Sequence, residues 1–409
     1  MTPVVAGRAR LAAAILAGII GLAGPVRAQE PRYYVEGRKQ VRELAGSIPG
    51  AAGRVRIETD RGTVRIHPTT GDAVAYRIRL RAGGPDPAEV RRRLDRMAIS
   101  ASRSGDLIEF SGSLPARGSP RLEAEFEISI PGSVREVEVA TGAGDVEAVG
   151  AGGKVSVLTR GGRIVVRDIA GPLVAETRGG DVLAGTVGST ARLVSAGGNV
   201  SVDSATGDLT VQTSGGDVRI GRAGGDVRVE TGGGNVRIDK AGRGVTIVSN
   251  GGSIEVGEAA GAISAASAGG GIRVGAAAGG IRCETAAGPI VLDGVEGAIR
   301  AVTSSGSIHA LLEGTRLLGD SDLQAWQGDV VVTLPESFPV TIRAFVDSPV
   351  GQGIESDFPL RILRDLEDNG RPLLIGEGAI GGGGPVLKIR TLGGRIHILK
   401  AKNVKPEQP

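Results

Sequence analysis

Arg219, Arg237 and Arg273 share one phase of an 18-residue period, and Arg228, Arg282 and Arg300 share the opposite phase, half a period away. Guanidinium groups at a regular pitch can meet the repeating anionic groups of a polymer. Glu230, Asp239, Glu255 and Glu284 interrupt both series, so a solvated surface of mixed charge is the simpler account of them. Arg219, Arg237, Arg273, Arg228 and Arg282 are the candidate binding residues, and the sequence assigns no catalytic, metal-ligating or cofactor-binding residue. A second basic cluster, Arg91, Arg92, Arg93 and Arg96, lacks interleaved aromatics, which argues against a nucleic-acid surface.

Other residue series suggest chemistry that their context removes. Asp145, Asp181, Asp217 and Asp226, with Asn199 and Asn235, suggest the calcium rolls built from the nonapeptide G-G-x-G-x-D-x-U-x. In the unit from Gly215 to Ala223, however, Val218 replaces the needed Gly and Ile220 the liganding Asp. The acids are then expected to be turn formers that bond their own backbone. The hydroxyl series Thr141, Thr159, Thr177, Ser195, Thr213, Thr231, Ser249, Ser267, Thr285 and Thr303 has the parity of inward positions. Stacked hydroxyls bonding neighbouring coils and turn amides are expected there, not an ice-binding or catalytic array. Cys283 shares the inward column of Ile281 and reads as a small core residue. His67, His309 and His397 lack partners at the spacing of a triad or a zinc site.

The elements that carry these series are set by a repeat. The hexamers TGAGDV at 141, TRGGRI at 159, TRGGDV at 177, SAGGNV at 195 and TSGGDV at 213 recur with an 18-residue period, and TGGGNV, SNGGSI, SAGGGI, TAAGPI and TSSGSI continue the series from 231 to 303. The fourth residue is Gly in all ten. Val155, Leu173, Leu209, Val227 and their equivalents follow half a period after the final Val or Ile, so each unit divides into two nonapeptides. Within these units apolar and polar residues alternate, which is the period of a half-buried strand. A six-residue step from Val146 lands on Gly152, which argues against a hexapeptide helix.

The expected fold is all-β: a parallel β-solenoid of 18-residue coils with two strands per coil, wound right-handed by the crossover preference. Ten coils at about 4.8 Å each make a rod of roughly 48 Å. Open ends would present unpaired backbone groups, so β-rich caps are expected at both ends. The N-terminal cap is assigned to residues 29–125, with strands over 54–66, 73–81 and 107–112. One short helix at 86–99 begins at Asp86-Pro87 and turns Val90, Leu94 and Met97 to one face. The regular solenoid spans 126–310, entered through FEISIP, with Ile128 one full period before Val146. Irregular coils and a C-terminal cap, including VVVTLP and VLKIRTLGGRIHIL, occupy 311–409; the period slips by four before Gly328.

Composition and targeting limit the setting. The 409 residues include 69 Gly and 20 Pro but only one Trp, three Tyr and five Phe, too few aromatics for an ordinary globular core or for a surface that stacks sugars or bases. Residues 1–28 read as a signal peptide: Arg8 and Arg10, an apolar run from Leu11 to Ala23, and a small-x-small exit ending near Ala28. The apolar run is short for a membrane span, so no transmembrane anchor is expected in the mature chain. The three arginines of that segment account for the net charge of +3, leaving a neutral mature chain without a long-range field. Export to the periplasm or cell exterior is expected, and the single Cys excludes an internal disulfide there.

The Gly-Gly-Asp-Val repeats behind a signal peptide, the strand-Pro entry ISIP, VVVTLP and the closing KIRTLGGRIHIL resemble an exported bacterial β-strand-repeat family. That family is named as a putative adhesin or domain of unknown function, and is related to the head domains of auto-transporter adhesins. The likeness covers most of residues 50–400. It implies adhesion and brings no catalytic residues with it. The expected role is a non-enzymatic adhesin-like scaffold at the cell envelope, without a cofactor or nucleic acid. Its expected partner is an envelope or surface polysaccharide or another envelope protein. The alternatives are a β-helix polysaccharide lyase or hydrolase and a self-assembling envelope protein; capped ends argue against the last.

Overall fold

The computed structural model describes residues 30–50, 52–113, 122–314, 316–347, 353–366 and 371–401. The segment read as a signal peptide, residues 1–28, lies outside the described residues. Two parallel sheets run the length of the repeat, and each coil gives one strand to each. In the first sheet Val200 pairs with Val218 and Val218 with Val236; in the second Leu209 pairs with Val227 and Val227 with Val245. Alternation turns Val218, Ile220, Val227 and Val229 into the space between the sheets, where all are buried. A further inward column, Ala205, Ala223, Ala241, Ala259 and Ala277, fills the corner opposite the hydroxyls. The protein is an all-β parallel β-solenoid with β-rich caps and one short helix among the described residues.

Three more turns join the ten consecutive hexamers. Thr59-Asp60-Arg61-Gly62-Thr63-Val64 stacks on the hexamer at 141, with Thr59 opposite Thr141 and Val64 opposite Val146. Ala325 to Val330 stacks on the hexamer at 303, and Thr391 to Ile396 stacks on Ala325 to Val330. Residues 54–69, expected in the cap as a single strand over 54–66, therefore form a full turn of two strands, Arg54–Thr59 and Thr63–Thr69. The expected register between Ile128 and Val146 is corrected as well. Strand Thr63–Thr69 lies between them, with Ile128 opposite Ile66 and Ile66 opposite Ala148.

Both ends use one topological device. Strands Leu107–Ser113 and Leu122–Pro131 sit outside the 54–69 turn although they follow it in the chain. Strands Val340–Asp347 and Ile354–Ser356 likewise sit outside the last turn, 386–400, although they precede it. Antiparallel strands then end the parallel ladder: Val74–Gly83 and Lys39–Ile48 at one end, Pro372–Ile380 and Arg361–Leu366 at the other. The outermost strands of the first sheet, Arg32–Glu36 and Ile354–Ser356, are short, which blunts the template that an open coil would offer another chain.

The helix spans Pro87–Asp95, not 86–99. Asp86 caps it by accepting from the Ala88 amide at 2.9 Å, and Val90 and Leu94 are buried. It stops early because residues from Ala98 onward pair antiparallel with Leu107–Ser113, and Met97 reaches the core from beyond the last turn.

Candidate functional site

The corner chemistry proves to be structural. The Thr213 hydroxyl donates to the Gly198 carbonyl at 3.0 Å and accepts from the Gly216 amide at 3.2 Å. The same pair of bonds recurs at Thr159, Thr177, Ser195, Thr231, Ser249 and Ser267. Each hydroxyl spends its single donor on a carbonyl and accepts from a turn amide, and all of them are buried, so these side chains serve the corner of the coil.

The expectation that the acids bond their own backbone is corrected. Asp181 accepts from the Asn199 amide at 2.8 Å, Asn199 from Asp217 at 2.8 Å and Asp217 from Asn235 at 2.7 Å. A parallel stack brings the amide one coil later closer to the side-chain oxygen than any amide of its own turn. Asp208 and Asp226 make the same bonds at the next corner. Among the described residues no group of three or more His, Cys, Asp or Glu is gathered to hold a metal ion. Cys283 is fully buried, and desolvation pushes its thiol up to about 12, so it is not a nucleophile at neutral pH.

The arginines divide between opposite sheets. Arg219, Arg237 and Arg273 face out from the first, and Arg228 and Arg282 from the second, so the five do not form one site. Arg237 lies 2.7 Å from Glu255 and 2.9 Å from Asp239; Glu255 chiefly, then Asp239, raises its guanidinium above the ordinary range. Arg273 pairs with Asp293 at 2.7 Å, while Arg219 has no ion pair among the described residues. On the second sheet Arg228 pairs with Glu230 and Arg282 with Glu284 at 2.7 Å. Hydrogen bonding to Arg228 holds the Glu230 carboxyl below its usual range. Surface pairs of this kind contribute little to stability, but they neutralise most of the expected track.

The second sheet adds a groove that the arginine series did not reveal. Its outward column runs Thr210, Arg228, Thr246, Ser264, Arg282, Arg300 in parallel register. Gly244 and Ala262 form the corner beside Thr246 and Ser264, and Gly280 and Ala298 form it beside Arg282 and Arg300, so short side chains leave an open trough of about 710 Å³ that runs past Arg228, Arg282 and Arg300. From Asp208 to Asp320 it crosses six coil steps of about 4.8 Å, or about 29 Å in all. Arg300 has no ion pair or hydrogen bond among the described residues. Reading the repeat column by column would have found the trough, because two short residues separate Arg228 from Arg282.

No family model matches the chain, and no curated protein matches it. Among solved structures, the chain is similar to a putative adhesin from Bacteroides fragilis NCTC 9343, at 15% identity over 56% of this chain and 98% of that one, with a TM-score of 0.30. It is also similar to a putative cell adhesion protein from Clostridium sporogenes ATCC 15579, at 8% identity over 91% of this chain and 100% of that one, with a TM-score of 0.17.

A separate charge cluster marks the N-terminal cap. Glu125 is almost fully buried and pairs with Arg65, with Arg79 at 3.1 Å and with Arg81 at 3.0 Å. Burial pushes its carboxyl up, but Arg79, Arg81 and Arg65 outweigh that and hold it below the usual range. Its role is to join the antiparallel strand Val74–Gly83 to the parallel strands beneath. Among the described residues no helix is long and apolar enough to cross a membrane.

Proposed function

We propose that this chain is an exported, non-enzymatic, adhesin-like scaffold of the bacterial envelope, periplasmic or extracellular, that holds an extended polymer along the second sheet. The observation that carries the reading is the trough from Asp208 to Asp320, straight over successive coils and bordered by Arg228, Arg282 and Arg300. The parallel backbone ladder under it is already ordered, so a polymer laid along it brings no ordering cost to the protein. Export rests on the pattern of residues 1–28.

The test is co-sedimentation of purified protein with isolated outer membrane, cell-wall sacculi and surface polysaccharide, in low salt and in about 0.5 M salt, where surface charge is screened. Sedimentation with one fraction is expected, weakened by salt and by Arg282→Ala with Arg300→Ala, and unchanged by Arg219→Ala on the opposite sheet. Failure to sediment with every fraction would sink the reading.

A further inference from the structure

The chain's single Trp lies where the regular stack meets the C-terminal cap. Trp326 occupies the second hexamer position, where other turns carry residues such as Gly142, Ser214, Asn250 and Ser304. It is 53% exposed, although burying an indole is among the larger gains open to any side chain. Its carbonyl accepts from the Gly393 amide at 3.0 Å, so its backbone is fixed by the last coil.

Trp326 lines a cavity of about 260 Å³ with Gln324, Asp347, Arg371, Arg390 and Leu392. Asp347 is 8% exposed and accepts two hydrogen bonds from Arg390, at 2.7 and 3.0 Å. A carboxylate offers about four acceptor sites, so this pair is held rigid with acceptor capacity to spare. Gln324 stands opposite Arg390 in register and donates to Asp322 at 2.7 Å, leaving its amide oxygen without a partner among the described residues. The cavity thus has one aromatic wall, one apolar contact from Leu392 and a polar side made by Gln324, Arg371 and the Asp347–Arg390 pair.

A matching ligand is small, with one apolar face and an edge of hydroxyls. We propose that this cavity binds a single pyranose ring of an envelope or surface glycan. The sugar's C–H face lies on the Trp326 indole, and its hydroxyls meet Gln324 Oε1 and the Asp347–Arg390 pair. The cavity is smaller than an ordinary ligand pocket, which limits it to one ring. The proposal names a ligand class within the envelope-binding reading and rests on that reading for the source of the sugar; the site itself is independent of the trough.

Because Trp326 is the only Trp, intrinsic indole emission of the intact protein reports this cavity alone. The probes are the methyl glycosides of glucose, galactose, mannose, rhamnose, N-acetylglucosamine and glucuronic acid, at concentrations up to about 100 mM. A saturable emission change with at least one of them is expected. Gln324→Ala should move its midpoint up about tenfold, and Arg219→Ala should leave it in place. No saturable change with any glycoside, a response to polysaccharide alone, or an unmoved midpoint in Gln324→Ala each overturns the proposal. Lost sedimentation with a saturable titration sinks the trough alone, and the reverse pattern sinks the cavity alone.

Discussion

Thr213 and Gly198 lie 15 residues apart in sequence and 3.0 Å apart in space, hydroxyl to carbonyl, across one step of the coil. The bond ties successive corners together. Thr213→Val keeps the shape and strands the Gly198 carbonyl and the Gly216 amide in the interior. A loss of about 1–3 kcal/mol in denaturant unfolding is expected, with Thr213→Ser close to wild type because Ser195, Ser249 and Ser267 already make these bonds.

Adjacent glycines should behave oppositely. A Cβ on Gly216 would sit 2.1 Å from the Gly198 carbonyl oxygen, whereas one on Gly215 meets nothing within 4 Å. Neither residue has a positive φ, so close approach of the coils is the constraint on Gly216. Gly216→Ala is expected to cost roughly 3 kcal/mol or more, and Gly215→Ala less than about 0.5 kcal/mol, in parallel unfolding curves.

The aspartate ladder predicts indifference to calcium. Asp217 spends one oxygen on the Asn235 amide and its own amide on Asn199. Asp217→Ala should lower stability by about 1 kcal/mol, while added calcium or chelator leaves the melting temperature of the wild type unchanged. A melting temperature that rises with calcium would restore the roll-type reading.

Acid should open the N-terminal cap. The folded carboxyl of Glu125 is held below its unfolded value of about 4.3, so its contribution is complete above that value and is lost as pH falls through the folded one. Hydrogen exchange between pH 7 and 3 should show Val74–Gly83 losing protection below about pH 4, before the central coils. In Glu125→Gln that strand should be less protected at neutral pH and show a smaller acid-dependent loss.

Cys283 provides a probe of the core. With its thiol buried and its pKa raised to about 12, it should resist iodoacetamide in the native protein and be alkylated stoichiometrically in denaturant. Native labelling at the denatured rate would mean that the coil around Ile281 opens.

The central coils were legible from sequence because period and register coincide there: a residue's neighbour in the next coil always lies one period on, as with Val218 and Val236. Inward hydroxyls, a buried Cys283 and the two-sheet core follow from local alternation alone. The same rule misled at Ile128, where a spacing of one period to Val146 does not reflect a contact, since Ile66 lies between the layers. It also missed the hexamer at Thr59, whose stacking partner Thr141 follows only after the rest of the N-terminal cap, and the one at Thr391, separated from Ala325 by the strands of the C-terminal cap. The partners of the acids are hidden from the sequence for a related reason: a side-chain oxygen's nearest amide depends on how coils stack, not on chain distance.

The sequence by itself determined the strand period, the coil length, the inward and outward faces and the helix start at Asp86, because each is a local pattern repeated or capped within a few residues. Only the tertiary structure decided the order of layers at the two ends and the meeting of Trp326, Asp347 and Arg390. Those contacts join residues separated by tens of positions outside the regular period, and no spacing of the chain marks them.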